Sequence, residues 1–361
     1  MIAYGAVSAG CRFFAGYPIT PASGIYRSMI DLLQKQGDVA ISAPDEISAL
    51  AYCVGASMRG FKAMTATSGP GWSLMIETVQ YALMTETPVV IAFVQRLGPS
   101  TGGATQGSQG DILLAEFCTS GGYTIPLLCP STPSECFELT ARAFEWSERL
   151  RSPVIVLSDK EVGMTSEAID FAKLISRPQV SRSLNIDTGK TKMYDFSNPS
   201  EIPSFIAVGG EQKVTATGSA HNKRGELKKN DAETLDVLIH LEEKISARKD
   251  ELSLTSHDRQ GGAQTLLVSF GISARTMREA VRNRRSRGGK VSSLTIYSLF
   301  PVPNKAIIQA IEEVTRVVVI EENLKGQYRS IIEPLLKDKD VIGVNKIGSM
   351  ITPSEIEAAI V

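Results

Sequence analysis

Arg96 is the one cation in a stretch built to approach a ligand. It follows Pro88-Val-Val-Ile-Ala-Phe-Val94, seven residues with no polar break, and precedes Leu97-Gly-Pro-Ser-Thr-Gly-Gly-Ala-Thr-Gln-Gly-Ser-Gln-Gly-Asp111 with its five glycines. A short unbroken apolar run reads as a strand buried on both faces, and ligands of open α/β sheets bind beyond the carboxyl ends of such strands. On composition alone the segment reads equally well as a surface loop. Three further turns carry groups that could join Arg96. In Gly16-Tyr-Pro-Ile-Thr-Pro21 two prolines hold a rigid turn around Thr20, because proline fixes its own φ and restricts the residue before it. In Pro44-Asp45-Glu46 the aspartate reads as an N-cap, and Glu46 as either a first-turn acid facing the helix dipole or a carboxylate facing a ligand. Thr67-Ser68-Gly69-Pro70-Gly71 lets a backbone come close, with a helix N-terminus expected from Ser73. Each turn alone has an ordinary structural explanation; four at one sheet edge suggest a shared site.

These turns need a sheet to align them. Strands are predicted at Arg12–Ala15, Val39–Ser42, Lys62–Thr67, Val89–Val94, Ile125–Cys129 and Val154–Ser158, with helical patterns at Ser23–Gln34, Glu46–Arg59, Ser73–Met84 and Pro133–Arg149. Such alternation implies βαβ units and a parallel sheet covered by helices. The chain opens inside another helical pattern, Met1–Gly10, as though a few residues preceded it. From about 166 to 262 the pattern dissolves around Pro178, Pro199 and Pro203, with one helix starting at Asn230-Asp-Ala-Glu233. This reads as a connecting arm. The alternation resumes at Thr265–Phe270, Val291–Tyr297 and Val317–Ile320. The expected division is therefore 1–165, 166–262 and 263–361, two α/β domains joined by an arm.

Composition sets the class. With 361 residues, 43% hydrophobic, 21% charged and a net charge of -1, the chain reads as an ordinary soluble protein with no electrostatic reason to hold nucleic acid. Its apolar runs are too short to span a membrane, and it shows no secretory signal, so a cytoplasmic location is expected. Five cysteines at scattered spacings argue against a disulfide framework or a metal site and for buried thiols in a reducing compartment. Gly189-Lys190-Thr191 resembles the end of a P-loop, but Leu184 stands where its first glycine belongs. Ser246-Ala-Arg-Lys249 lies on a charged helix, the basic Arg282–Lys290 closes another, and His221, His240 and His257 sit away from the strand ends.

Together these motifs resemble one family, the α subunits of 2-oxoacid:ferredoxin oxidoreductases, particularly the 2-oxoglutarate type. The resemblance is carried by Gly16–Pro21, Asp45-Glu46, Thr65-Ala-Thr-Ser-Gly-Pro-Gly71, Gln95–Gly102 and Gln109-Gly-Asp111. Ala216–Gly225 is similar to the family's connecting segment, and Ser269–Ser273 with Val319–Leu324 to its second domain. Gly103-Ala104 departs from relatives that tend to carry a proline there, and the chain begins past residues that usually precede Ala3.

The resemblance implies a thiamine-diphosphate pyrimidine-type parallel-sheet domain followed by a smaller transketolase C-terminal-like α/β domain. It implies that Glu46 hydrogen-bonds a ring nitrogen of thiamine diphosphate and so promotes loss of the cofactor's C2 proton, with Thr67, Ser68 and Gly69 beside it. Arg96 and Thr20 match the groups that take the substrate carboxylate, with Ser100 and Thr101 nearby. No Gly-Asp-Gly motif with a downstream Asn is present to hold diphosphate and magnesium, and no cysteines are spaced for a cluster. The chain is then half of a shared site. A β subunit would carry the magnesium, the diphosphate and the iron–sulfur cluster, gamma and delta subunits being further partners, with ferredoxin, a 2-oxoacid and coenzyme A as reactants. A carboligase or transketolase-like half-enzyme and a non-catalytic scaffolding subunit stay open as alternatives.

Overall fold

A computed structural model describes residues 1–174, 179–183 and 192–360 of the chain. Pro178, Leu184 and the Gly189-Lys190-Thr191 tripeptide lie outside them. The first part alternates as the periodicity requires: α1 (Ile2–Ser8), β1 (Phe13–Gly16), α2 (Ser23–Gln36), β2 (Val39–Ser42), α3 (Glu46–Met58), β3 (Ala63–Ser68), α4 (Gly69–Met84), β4 (Val89–Gln95), α5 (Ile112–Glu116), β5 (Leu127–Leu128), α6 (Pro133–Leu150), β6 (Pro153–Asp159) and α7 (Lys160–Met164). After the arm helix α8 (Ala232–Ser246) come β7 (Thr255–Asp258), β8 (Thr265–Ser269), α9 (Gly271–Ser286), β9 (Ser292–Ile296), β10 (Ser298–Phe300), α10 (Asn304–Ile311), β11 (Arg316–Glu321), α11 (Gln327–Ile332), β12 (Asp340–Asn345) and α12 (Pro353–Ala358).

Two sheets result. The larger has strand order β10-β5-β6-β4-β3-β1-β2, and every pairing in it is parallel except that of β10 with β5. The smaller runs β12-β11-β8-β9-β7, with β7 alone antiparallel. The central strands β3, β4 and β6 are buried along their whole length. Apolar clusters pack on both faces of this sheet, one around Phe93, Trp72 and Val79 and the other around Phe14, Val90 and Trp146. Trp72 stacks on Phe93 with ring centroids 5.1 Å apart, fixing α4 on β4.

Several sequence expectations need correction. Helix α4 begins at Gly69, four residues before the expected Ser73, because Pro70 fits a first helical turn whose missing N–H would have no partner anyway. The arm helix is capped by Asp231, whose carboxylate accepts the Thr234 N–H at 2.8 Å, and Asn230 precedes it at φ 58°. The predicted strand Val291–Tyr297 is one of two: after Tyr297 the chain leaves the smaller sheet, and Ser298–Phe300 becomes the edge of the larger one. Strands β7 and β12 lie outside the expected set; the polar Thr-Ser-His-Asp of β7 has no apolar face to mark it.

Candidate functional site

The carboxyl ends of β1, β3 and β4 bring three of the expected groups to one edge. Arg96 leaves β4 buried, 6% exposed, and its Nη1 donates to the Thr20 main-chain carbonyl at 2.6 Å. Thr20 thus meets Arg96 through its backbone. Arg96 Nε is buried with no partner. The following loop folds back on itself: Gly103 N–H donates to Leu97 O at 2.9 Å, and Gly102 adopts φ +42°, where a Cβ would strike that same carbonyl.

Arg96 lines a cavity of about 500 Å³. One wall is Gly69, Pro70 and Ser73 at the start of α4; another is the loop Leu97–Ser100 with Ser108, Gly110 and Asp111. A further wall comes from the loops of the second sheet, through Asn323, Leu324 and Ile347, and from Gln327 at the start of α11. Ser100 reaches this cavity at a φ of 52°, whereas Thr101 is exposed at the loop tip and does not line it. No histidine lines it.

Glu46 sits behind the Gly69–Gly71 turn. Asp45 is the N-cap of α3, its carboxylate accepting the Ser48 N–H at 2.7 Å, so the dipole role is already filled one residue earlier. Glu46 is 8% exposed, too buried for a solvated first-turn acid. A Cβ on Gly71 would lie 2.6 Å from Glu46 Cγ and 2.9 Å from its Oε1, and would collide with Thr67 Oγ1. Glycine at 71 is what leaves room for the glutamate. Ser68 Oγ, at the N-cap of α4, is buried without a partner. A buried carboxylate, a glycine cradle and an orphaned hydroxyl can together receive a nitrogen-bearing ring, so these residues fit the pyrimidine end of thiamine diphosphate.

Sequence reasoning passed over Asp111 as a functional residue. Its carboxyl lies over Gly69, 3.4 Å from where a Cβ there would be, and its Oδ2 is buried with no partner. Burial pushes it up to about 7, against the pull of the Arg96 main-chain N–H and charge. Its signals in the sequence were its place at the end of the glycine-rich loop and in the Gln109-Gly-Asp111 motif.

A polar junction behind the cavity ties the two sheets together. Gln109 Nε2 donates to Asp159 Oδ2 at 3.2 Å and to Phe270 O at 3.1 Å. Its Oε1 accepts the Ser273 hydroxyl and the Glu322 N–H, each at 2.9 Å. Gln95 Nε2 holds the other oxygen of Asp159 at 3.0 Å, and its Oε1 accepts the Asp111 N–H at 3.2 Å. The cavity's two walls are therefore one hydrogen-bonded unit. Among the described residues no His, Cys, Asp and Glu groups are arranged to hold a metal ion, and no helix is long and apolar enough to cross a membrane.

Comparison with known proteins fits this geometry. A family model described as pyruvate flavodoxin/ferredoxin oxidoreductase, thiamine diP-binding, matches residues 4–240, and one described as pyruvate:ferredoxin oxidoreductase core domain II matches residues 263–356. The chain is 38% identical to 2-oxoglutarate synthase subunit KorA of Methanocaldococcus jannaschii, over 99% of this chain and 96% of that protein. Its structure is similar to a 2-oxoglutarate:ferredoxin oxidoreductase from Magnetococcus marinus with 2-oxoglutarate, coenzyme A and succinyl-CoA bound. The TM-score is 0.89 at 28% identity, covering 99% of this chain and 63% of that longer one. A split-gene transketolase shares the fold, with a TM-score of 0.58 at 12% identity over 99% of this chain and 95% of that one.

Proposed function

Because this chain belongs to the pyruvate flavodoxin/ferredoxin oxidoreductase family, we propose that it is the α subunit of a 2-oxoacid:ferredoxin oxidoreductase. Its complex would decarboxylate 2-oxoglutarate oxidatively, pass electrons to ferredoxin and form the acyl thioester of coenzyme A. The observation that carries this reading is Arg96: a buried guanidinium with an unpartnered Nε, tethered at the mouth of a cavity and backed by a buried glutamate. An arginine so placed can pair with a carboxylate in a planar fork.

Each residue has a separate task. Arg96 binds and orients the oxoacid carboxylate, with Ser100 beside it. Glu46, with Thr67, Ser68 and Gly69 around it, would hold the aminopyrimidine of thiamine diphosphate and keep a proton at its ring nitrogen. When bound, that cofactor supplies the carbon nucleophile and the electron sink. The apolar walls Pro70, Leu97, Pro99, Leu114, Leu324 and Ile347 would keep water from the reacting carbon.

The remainder of the site is assigned to a β subunit: magnesium, diphosphate and iron–sulfur cluster. Two features support this. The five cysteines are each buried and free. Beside Glu46, α3 runs from Ile47 to Met58 without a charged residue and leaves Ile47, Ala51, Tyr52 and Gly55 exposed, with Leu74 of α4 on the neighbouring helix. An uncharged face next to an incomplete site is where a partner would close it. The domain limits 1–165, 166–262 and 263–361, a cytoplasmic location and additional gamma and delta subunits complete the reading. The test is to purify the chain with its co-expressed partner and assay a panel of 2-oxoacids with coenzyme A and ferredoxin. Ferredoxin reduction that depends on 2-oxoglutarate and coenzyme A is expected; acyl transfer to an aldehyde or sugar without ferredoxin reduction would overturn it.

A further inference from the structure

Two buried polar atoms at the cavity wall have no partner in the protein: Nε of Arg96 and Oδ2 of Asp111. Unmade hydrogen bonds at buried groups are costly, and two beside one cavity point to a ligand that completes both. No ion pair joins these side chains, although Arg96 is the charged group whose field reaches Asp111. The rest of the cavity lining is uncharged: Gly69, Pro70 and Ser73 of α4, Leu114 of α5, and Asn323, Leu324 and Gln327 across the cavity. Behind the lining, burial also raises the carboxyls of Asp159, to about 8, and Glu322, to about 7; Asp159 is held by Gln95 and Gln109, and Glu322 O accepts the Ser108 hydroxyl. Glu46 lies on the far side of the turn against Gly71, and Glu116 one turn further along α5. An ionised Asp111 would repel an incoming carboxylate and compete with it for Arg96.

We propose, resting on the functional reading above, that Asp111 is a second recognition group for the oxoacid. Its protonated carboxyl donates an O–H to the ligand's carboxylate beside Arg96, so that in alkaline medium, where the free carboxyl is ionised, binding the anion takes up a proton from solvent. The loop is fixed for this task. Gln95 Oε1 accepts the Asp111 N–H, and Gln327 Nε2 donates to Gly110 O at 2.8 Å. Burial that pushes Asp111 up to about 7 leaves it substantially protonated at neutral pH and ionised above. Aspartate at this position makes oxoacid affinity fall as the medium becomes alkaline.

The experiment measures KM for 2-oxoglutarate in the assembled complex from pH 6 to 8.5, for the wild type and Asp111→Asn. In the wild type, KM should climb toward tenfold per pH unit above about pH 7. Asparagine keeps a donor and cannot ionise, so its KM should be nearly flat over the same range. The same slope in both proteins, or no slope in the wild type, overturns the assignment. A second measurement does not depend on the variant folding. Calorimetry of 2-hydroxyglutarate, which keeps both carboxylates but has no carbonyl to attack, is run on the wild-type complex at pH 8 in two buffers of different ionisation enthalpy. Uptake of close to one proton supports the proposal, and none overturns it. Absence of any 2-oxoacid turnover by the wild type at pH 6.5 is a separate failure, which removes the functional reading and this assignment with it.

Discussion

Arg96 Nη1 donates to the Thr20 carbonyl at 2.6 Å, and this single bond ties the exit of β4 to the turn after β1. It sets the plane of the guanidinium before any ligand arrives, so little side-chain freedom is left to lose on binding. Pro18 and Pro21 of the Gly16–Pro21 turn restrict the backbone that carries this carbonyl.

Arg96→Lys tests this arrangement. A lysine ammonium can reach either the Thr20 carbonyl or a substrate carboxylate, but has no planar fork to serve both. We expect KM to rise and kcat/KM to fall by about 1.5–3 kcal/mol, the range for a hydrogen bond to a charged group. That is roughly 10- to 150-fold. Steady-state kinetics of the assembled complex across several 2-oxoacids check it, and unaltered kinetics for all of them would remove Arg96 as the carboxylate anchor.

Gly71→Ala should separate packing from helix propensity. Alanine inside a helix is favoured over glycine by about 1 kcal/mol. Here its methyl would meet Thr67 Oγ1 and both Cγ and Oε1 of the buried Glu46, so these side chains must give way. Overpacking of this kind costs about 1–3 kcal/mol. The variant should therefore lose modest stability and much activity, because the glutamate gives way. A melting curve and a turnover assay on one preparation decide; full activity would mean that the position of Glu46 is immaterial.

The arm has its own anchor. Glu86 is fully buried at φ 47°, accepting from Lys244 Nζ at 2.8 Å and facing His240 Nε2 at 3.0 Å, both on α8. Arg151 Nη1 donates to the carbonyls of Met193, Pro203 and Ser204, drawing the rest of the arm inward. Burial alone would raise the Glu86 carboxyl, but Lys244, Arg151 and His240 outweigh it and hold it well below the usual range. A depressed carboxylate contributes stability that is present above its unfolded value and lost as pH falls toward the folded one. Glu86→Gln strands the Lys244 charge and should cost about 3–5 kcal/mol near neutrality. It should also flatten the acid side of the stability profile, which denaturant unfolding from pH 3 to 7 would show. A parallel acid limb in both proteins would refute the assignment.

The sequence announced the sheet and its ligand edge more clearly than the contacts that complete them. Uninterrupted runs such as Val89–Val94 mark buried parallel strands, and Gly/Pro turns mark their ends, because both are local consequences of burial and backbone geometry. Gln109 and Glu86 could not be read that way. Their partners lie far away in the chain, as when Gln109 meets Ser273 and Glu322, and Glu86 meets Lys244. The crossing of Ser298–Phe300 into the larger sheet is equally non-local. The contact between the Thr20 carbonyl and Arg96 is non-local as well, joining residues 76 positions apart.

Glu46→Gln is the most discriminating substitution, since it preserves volume and polarity and removes only the proton-accepting carboxylate. The helix N-terminus does not depend on it, because Asp45 already caps the Ser48 N–H. A first-turn charge is worth about 0.3–1 kcal/mol, rising to about 2 where it is partly buried. Burying that charge also carries a desolvation cost, which glutamine avoids, so the net change in melting should be small. Catalysis should respond differently. If Glu46 holds the proton at the cofactor's ring nitrogen, glutamine cannot, and exchange of the C2 proton in the assembled complex should slow by about 10²–10⁴-fold. A purely structural glutamate predicts the reverse, slight destabilisation with normal exchange and turnover. Deuterium exchange at C2, followed by NMR beside a melting curve, distinguishes the two, and an unchanged exchange rate would show that the carboxylate behind Gly71 serves the fold alone.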